Sequence, residues 1–218
     1  MKTIFFESID NTQNYALENY DSEPLLVLSY SQESGRGREK KEWQNADQSL
    51  AVSLVFENNN EKLNNTLVPL IAGFCFLEVV ENEELKLKWP NDINLKENKI
   101  GGILVEEHKG VICVGLGVNY FWANPSIPNA GSLYDEKIDN TLINSDAEKW
   151  GRLVLDFVEN NKFKLPEYKE KLTTLGKLVE YPEGRGWARD VDIDGSLIIE
   201  TPEGQFINLT SPLITEVN

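Results

Sequence analysis

The sequence predicts a mixed α/β domain, in which helices pack on a β-sheet, followed by a small all-β domain. Three patterns support this prediction: apolar runs of strand length, two stretches with helical periodicity, and a change to short alternating runs beyond about residue 174. The chain has 218 residues, of which 40% are hydrophobic and 26% charged, so it can bury one good core and add a small second domain. We therefore expect a first domain over residues 1–173 and a second over residues 174–218.

The strands of the first domain are predicted from apolar runs bounded by polar and turn-forming residues. Residues 25–30 form a compact apolar run suited to a buried strand, and residues 49–56 alternate like a half-buried strand. Further strands are predicted at residues 85–88, 100–107 and 111–118. A turn at Lys109 and Gly110 joins the last two strands. These runs predict a mixed sheet.

Two helices are predicted from apolar residues that recur three and four positions apart. The first covers residues 66–81, and its apolar positions are Leu67, Leu70, Ile71, Phe74, Leu77 and Val80. The second follows a polar loop over residues 123–145, and its apolar positions are Trp150, Leu153, Val154, Phe157 and Val158. We expect the second helix to end near Lys164, before Pro166.

The C-terminal residues form short alternating runs separated by turns that contain glycine. The runs are residues 177–181, 186–193, 197–201 and 205–209. A series of short strands with this spacing predicts a small β-barrel of about forty residues.

Charge and hydropathy exclude several classes of function. The net charge is −15 and no basic stripe or helix-turn-helix segment precedes the first strand, so we expect no DNA binding. No apolar stretch approaches the roughly 20 residues of a membrane span, and Glu7 comes too early for a signal peptide. We expect a soluble cytoplasmic protein that does not bind a membrane.

Cysteine and histidine are not predicted to act in catalysis. Cys75 lies between two phenylalanines and Cys113 lies in an apolar run, without metal-like spacing, so both are predicted to be reduced thiols in the core. His108 comes just before Lys109 and Gly110 and is predicted to be a solvated turn residue. Any chemistry must therefore proceed without histidine.

The most informative feature of the sequence is a polar turn between two apolar strands. Residues 88–92 read Lys-Trp-Pro-Asn-Asp, and Lys99 then precedes the glycine pair Gly101 and Gly102. A turn that served folding alone would need only glycine or asparagine. A simple proline turn is the structural alternative, but it does not explain the lysines at both ends. We therefore expect a reaction site here.

A second polar segment concentrates positive charge in this acidic chain. Residues 34–38 read Ser-Gly-Arg-Gly-Arg, and Lys40 and Lys41 follow. Glycines let the backbone approach a ligand and present N–H groups to an anion. The string is neither a P-loop nor a dinucleotide fingerprint, and taken alone it is better explained as a solvated surface loop.

Together, the two segments resemble the signature of biotin protein ligases, and the resemblance covers nearly the whole chain. These enzymes activate biotin with ATP and attach it to a carrier lysine. The resemblance implies a class II synthetase-like catalytic domain, a C-terminal SH3-like domain, Mg²⁺ with the ATP, and a biotin carboxyl carrier protein of the acetyl-CoA carboxylase type as partner. It also implies the stand-alone type, without the N-terminal DNA-binding domain of some members. Whether the protein is a monomer or a homodimer stays open.

The resemblance assigns one group of residues to biotin. Asn11, Thr12 and Gln13 resemble the Ser-Thr-Asn segment that holds the ureido ring, with Asn in place of Ser and Gln in place of Asn, but they also suit the N-cap of a helix. Gln32 resembles the family glutamine that contacts biotin. The other predicted biotin contacts are Gly35, Arg36, Arg38, Lys99, Gly101 and Gly102. The last two interrupt a β-branched strand, where glycine indicates the close approach of another body, here biotin.

A second group is assigned to the nucleotide. It comprises Arg36, Arg38, Trp43, Lys88, Asn91, Asp92, Lys99, Asn119 and Arg189. Lys99 resembles the family lysine that binds the carboxylate and α-phosphate oxygens. Asp92 is hypothesised to take the proton of the incoming amine, and Asn119 is equally well explained as a strand-end turn residue. The predicted catalytic residues are therefore Lys99, Asp92 and Arg38.

Two other functions remain open. One is a lipoate or octanoate ligase or transferase of the same fold, although its octanoyl-transfer branch needs a cysteine nucleophile. The other is a biotin- or nucleotide-binding module without turnover, because Lys40 and Lys41 stand where the family often has a second Gly-Arg pair. We also expect the loop over residues 31–44 to be mobile and to become less so when the adenylate binds.

Overall fold

The computed structural model describes residues 1–37, 42–210 and 215–216. A seven-stranded sheet and a five-stranded sheet account for the strands. The strands of the large sheet are β1 (Lys2–Phe6), β2 (Leu25–Ser29), β3 (Gln48–Glu57), β4 (Leu85–Lys88), β5 (Asp92–Leu95), β6 (Asn98–His108) and β7 (Val111–Phe121). The helices are α1 (Thr12–Glu18), α2 (Val68–Val80), α3 (Asn140–Glu159) and α4 (Leu165–Glu170), with a 3₁₀ turn at Asn65–Leu67.

The large sheet has the strand order β1-β2-β3-β7-β6-β5-β4. β1 and β2 are parallel, and every other neighbouring pair is antiparallel, so the sheet is mixed as predicted. The predicted turn joins β6 to β7, and its two residues, Lys109 and Gly110, have φ angles of +52° and +83°. All five predicted strands of this domain are confirmed, with ends shifted by up to three residues.

The main core lies between one face of the sheet and the helices α2 and α3. α2 is apolar on nearly all sides because it is covered both by the sheet and by α3. Trp150 of α3 is fully buried, and its indole N–H donates a 2.9 Å hydrogen bond to the carbonyl of Ala72 in α2. The predicted helix over residues 66–81 is therefore confirmed as a core helix.

Helix α1 lies against the opposite face of the sheet. Asn11 is its N-cap, since its side chain accepts a hydrogen bond from the backbone N–H of Asn14. Ala16 packs with Val27, Val55 and Cys113 in a second, smaller apolar cluster. The first turn of α1 is thereby held directly above the sheet.

The bounds predicted for the helix after the polar loop were wrong at both ends. α3 begins at Asn140, inside the predicted loop, because Asp139 caps it by accepting a hydrogen bond from the N–H of Thr141. It ends at Glu159 and not near Lys164, since Asn161 adopts a positive φ of +49°. Pro166 does not terminate this helix; it lies in the first turn of α4.

The C-terminal sheet comprises β8 (Leu178–Tyr181), β9 (Gly184–Val191), β10 (Leu197–Glu200), β11 (Phe206–Leu209) and β12 (Thr215–Glu216). Its strand order is β11-β10-β9-β8-β12, which confirms the four predicted strands. The backbone N–H of Trp89 donates to the Thr174 hydroxyl, so the two sheets meet close to the predicted domain boundary. None of the helices described in this structure is long and apolar enough to cross a membrane.

Candidate active site

The face of the large sheet below α1 forms the floor of a cavity, and three glycines lie in that floor. They are Gly102 of β6 and Gly115 and Gly117 of β7. A Cβ atom at Gly115 would lie 2.6 Å from Oε1 of Gln13, and one at Gly117 would lie 2.8 Å from the ring of Trp43. Real Cβ atoms do not make contacts this short, so both positions need glycine to keep these side chains in place.

The register of the strands places two rows of mostly small residues across this floor. Ala51, Gly117, Gly102 and Asp92 form one row across β3, β7, β6 and β5. Ser53, Gly115 and Leu104 form the next row. The cavity above them has a volume of about 430 Å³. This volume is typical of a site for a small molecule.

One end of the cavity is polar and lies under the start of α1. The backbone N–H and the hydroxyl of Thr12 both donate to Oε1 of Gln32, over 2.8 and 2.9 Å. The Thr12 hydroxyl also shares a 2.8 Å hydrogen bond with the hydroxyl of Ser53. Asn11 donates to the carbonyl of Ser34, so this residue both caps α1 and holds the first part of the loop over residues 31–44, called the glycine loop below. Both interpretations of the Asn-Thr-Gln segment are therefore compatible with the structure.

Gln13 and Arg36 meet at a carboxylate to which the sequence assigned no role. Nε2 of Gln13 donates to Oε2 of Glu106 over 3.0 Å and to the carbonyl of Leu104 over 3.4 Å. The guanidinium of Arg36 donates to the same carboxylate over 2.9 and 3.3 Å. The place of Glu106 on the cavity side of β6 follows only from the register of the strands.

The other end of the cavity contains an ion pair. Nζ of Lys99 lies 2.5 Å from Oδ1 of Asp92, and the two side chains are 42% and 25% exposed. Asn91 supports this arrangement, because its side chain donates a 2.8 Å hydrogen bond to the carbonyl of Ile103. The structure thus brings together the two predicted catalytic residues that it describes. The third, Arg38, lies outside the described residues, as do Lys40 and Lys41.

Trp43 covers part of the floor. Its backbone N–H donates to the carbonyl of Gly35 over 2.9 Å, and its ring lies against Gly117. Trp43 and Arg36 both line the cavity, whereas Gly35 lies behind them, close to Gln32. The two described ends of the glycine loop therefore approach each other above the sheet.

Asn119 lies at the end of β7 and lines the cavity. Its Nδ2 donates to the carbonyl of Gly131 over 3.0 Å, while its Oδ1 is buried and has no hydrogen-bond partner among the described residues. A buried acceptor of this kind is usually satisfied, so a bound ligand or a water molecule is expected to complete it.

The sequence did not predict one wall of the cavity. Trp122 and residues 127–130 line it, although they lie in or beside the segment predicted only as a polar loop. The backbone N–H of Lys99 donates to the carbonyl of Asn129 over 2.7 Å, which fixes this loop to β6. The signal for it was weak: a tryptophan at a strand end and an isolated isoleucine next to a proline.

Besides Gly35, three predicted site residues lie apart from the cavity lining. The guanidinium of Arg189 is paired with Glu200 over 2.5 Å and lies over the ring of Trp187 on the outer face of the small sheet. Lys88 ends β4, one strand beyond Asp92. A Cβ atom at Gly101 would lie 2.9 Å from the carbonyl of Gly117, so the body that approaches this glycine is the neighbouring strand. The roles of these three residues in ligand binding stay predictions.

The thiols and the histidine lie where the sequence predicted them. Cys75 and Cys113 are buried and free. Burial raises the pKa of the Cys113 thiol to about 12 and raises that of Cys75 further. His108 is exposed at the last residue of β6. Neither cysteine is placed to act as a nucleophile at neutral pH.

A cavity of this size, with a cation–carboxylate pair at one end and amide and hydroxyl groups at the other, defines the active site of an enzyme that acts on a small molecule. The chain belongs to the biotin/lipoate A/B protein ligase family, whose profile matches residues 5–119. The predicted family and fold class are therefore confirmed.

Individual relatives are biotin ligases. The biotin–acetyl-CoA-carboxylase ligase of Mycobacterium tuberculosis is 28% identical over 204 residues, which cover 85% of this chain and 76% of that protein. Biotin–protein ligase 2 of Arabidopsis thaliana is 30% identical over 134 residues, and the match spans 53% of this chain and only 40% of that protein.

Solved structures show the same likeness. The biotin protein ligase from Aquifex aeolicus in complex with biotin and ATP superposes with a TM-score of 0.80 at 26% identity, and the match covers 99% of this chain and 98% of that one. The Helicobacter pylori biotin acetyl-CoA carboxylase synthetase with bound biotinylated ATP gives a TM-score of 0.67 at 25% identity, with coverage of 95% and 99%. The fold and its relatives identify the chain as a ligase.

Proposed function

We propose that the chain is a biotin–carboxyl carrier protein ligase that works in two steps. Biotin and ATP would first give biotinyl-5′-AMP and pyrophosphate, and a carrier lysine would then displace AMP. The observation that carries this proposal is the layout of the cavity: Thr12 and Gln32 lie at one end of a glycine floor, and Lys99 lies with Asp92 at the other. Biotin has the matching layout, with a polar ureido ring at one end and a carboxylate at the other.

The first step joins two anions, and Lys99 supplies the charge that it needs. A carboxylate oxygen of biotin attacks the α-phosphorus of ATP, and the bond to the pyrophosphate oxygen breaks. Negative charge accumulates on the α-phosphate oxygens in the transition state, where a cation fixed beside them lowers the barrier. Lys99 would hold these oxygens, and its backbone is already fixed by a hydrogen bond to Asn129. Arg36, on the cavity wall, is the second described cation.

The second step needs a neutral amine. The nitrogen of the carrier lysine attacks the acyl carbon of the adenylate, the bond to the phosphate oxygen breaks, and AMP leaves. Asp92 would take the proton that the amine loses, because this carboxylate lines the cavity beside Lys99. No covalent intermediate with the protein is needed in either step.

Magnesium would enter with the triphosphate. Residues 1–37 and 42–210 contain no cluster of three or more Asp, Glu, Cys or His side chains that could hold a metal ion. Mg²⁺ usually takes one or two carboxylates together with phosphate oxygens, and Asp92 meets that need. When bound, the ion would neutralise phosphate charge, and Asp92 would be its protein ligand.

The partner would be a biotin carboxyl carrier protein or domain of the acetyl-CoA carboxylase type, and the reaction would take place in the cytoplasm. A lipoate or octanoate enzyme of the same fold is the alternative. The octanoyl-transfer branch needs a nucleophilic cysteine, and Cys75 and Cys113 are both buried thiols with raised pKa values. Octanoyl transfer through a cysteine is therefore disfavoured, and the choice between biotin and lipoate rests on the substrate test.

Release of pyrophosphate from ATP tests this function, with biotin, lipoate or octanoate supplied in parallel and with or without a biotin carrier domain. We expect release that depends on biotin, followed by labelling of the carrier. Release with lipoate instead would assign the chain to the other branch. If none of the three acids caused pyrophosphate release, a binding module without turnover would be the remaining function.

The variant Lys99→Ala tests the assignment of the cation. We expect biotin-dependent pyrophosphate release to fall about 100-fold or more, because a fixed charge at the reacting phosphate is lost. Lys96→Ala is the matched control, since Lys96 lies on the neighbouring β5–β6 turn and its side chain is 71% exposed. Equal rates for the two variants would contradict the role of Lys99.

A further inference from the structure

We propose that Glu106 is a positioning residue that selects a ligand with N–H donors. It would do so by fixing the side chain of Gln13 and by holding Arg36 beside the cavity. The inference rests on the proposed function and assigns to the same cavity a residue that neither the sequence nor the family resemblance singled out. Its basis is one carboxylate that receives hydrogen bonds from two cavity-lining side chains.

The register places Glu106 on the cavity side of β6. Residues alternate between the two faces of a strand, so Gly102, Leu104 and Glu106 share one face. Gly102 and Leu104 both line the cavity, and Glu106 continues their line towards α1. Its partner in β7 is Cys113, a buried residue of the apolar cluster below α1. The carboxylate therefore stands at the edge of the cavity, where α1 covers the floor.

The two acceptors on β6 fix the orientation of the Gln13 carboxamide. Its Nε2 donates to Glu106 and to the carbonyl of Leu104, which accounts for both N–H groups. The opposite atom, Oε1, lies against Gly115 on the cavity floor, 2.6 Å from where a Cβ atom would stand. Gln13 is only 5% exposed, so it has little room to rotate.

This orientation gives the cavity a hydrogen-bond acceptor. A cyclic urea such as the ureido ring of biotin has two N–H donors, which need acceptors when they leave water. A dithiolane ring or an alkyl chain has none. Without Glu106 the carboxamide would lose a partner and turn more freely, and the cavity would lose part of its preference for a ligand with N–H groups.

The second partner, Arg36, belongs to the glycine loop. Its guanidinium donates to both oxygens of Glu106, over 2.9 and 3.3 Å, and its side chain is 33% exposed. The charge-assisted pair thereby joins the loop to β6 at the same atom that holds Gln13. One carboxylate thus couples the position of the loop to the acceptor in the cavity.

The adjacent Glu107 provides a matched control. It lies on the opposite face of β6 and accepts a 3.1 Å hydrogen bond from the side chain of Asn65, away from the cavity. Glu107→Ala removes the same group, one residue along the same strand. It should leave ligand binding unchanged.

The dissociation constants of biotin and of lipoate, measured by isothermal titration calorimetry without ATP, test the inference without any need for turnover. We expect Glu106→Ala to weaken biotin binding about 10-fold or more and to leave lipoate binding unchanged, since only biotin uses the acceptor. Glu106→Gln keeps an acceptor for Gln13 but removes the charge that holds Arg36. It should therefore restore most of the biotin affinity. Both variants lose the ion pair with Arg36, so we expect a protease to cleave the glycine loop faster in each of them than in the unchanged chain.

A double-variant cycle separates positioning from general damage to the fold. Gln13→Leu removes the acceptor at nearly constant volume, and if Glu106 acts through Gln13, the pair of changes weakens biotin binding no more than Gln13→Leu alone. Additive losses, or biotin binding by Glu106→Ala equal to that of Glu107→Ala, would overturn this inference alone. If the unchanged chain bound no biotin, the proposed function would fail, and this inference with it.

Discussion

The indole N–H of Trp89 donates a 2.9 Å hydrogen bond to the carbonyl of Gly195, so the turn before β5 is joined directly to the β9–β10 turn of the C-terminal sheet. Trp89 is 4% exposed, and its backbone N–H also donates to the Thr174 hydroxyl. The tryptophan therefore has a structural role, while its neighbours Asn91 and Asp92 line the cavity. One short run of sequence both joins the two sheets and forms part of the site.

Loss of the indole N–H at this junction should destabilise the protein. Trp89→Phe removes the donor and leaves a buried carbonyl without its partner, so we expect the free energy of unfolding to fall by about 1–3 kcal/mol. Urea denaturation measures this change. Trp187→Phe is the control, because Trp187 is 39% exposed on the outer face of the small sheet. Equal losses for the two variants would contradict the structural role of Trp89.

The two chemical steps should respond differently to a change at Asp92. Asp92→Asn keeps the size of the side chain but removes the base, so we expect transfer from isolated biotinyl-5′-AMP to a carrier domain to slow about 100-fold. Adenylate formation should fall by less, because Lys99 keeps its charge and the amide oxygen of the new side chain can still contact Mg²⁺. Single-turnover measurements of each step give the two rates. Asp135→Asn, at an exposed position, is the control. An equal effect on both steps would count against Asp92 as the base.

Both thiols should be unreactive while the protein is folded. Burial raises the pKa of Cys113 to about 12, so at pH 8 the reactive thiolate is scarce, and the same cause acts more strongly on Cys75. We expect labelling by a thiol reagent to be very slow at pH 8 and to become complete in urea, where both pKa values return to their ordinary range. Rapid labelling of the folded chain would contradict the burial of the thiols. It would also support octanoyl transfer through a cysteine nucleophile.

Much of the site was predictable because it is local in sequence. Lys99 and Asp92 are seven residues apart in the sequence, on the two strands of a short hairpin. Their proximity therefore follows from the turn that joins β5 to β6. The capping role of Asn11 was likewise readable from a local pattern. Local reasoning does not reach the surroundings of Gly101, because the atom that approaches it belongs to Gly117 on another strand.

The sequence by itself determined the strands and helices whose hydrophobic period is strong, the motif at residues 88–92, and the residue types at the cation–carboxylate end of the cavity. Those features depend on residues near each other in the chain, where periodicity and turn preferences act. Only the tertiary structure decided that residues 2–6 and 92–95 form strands, that residues 127–130 form a wall of the cavity, and that Glu106 contacts Gln13. Each of these depends on register and on contacts between distant segments. Side chains 93 positions apart in the sequence, such as Gln13 and Glu106, are brought together only when the sheet has formed and α1 has packed on it.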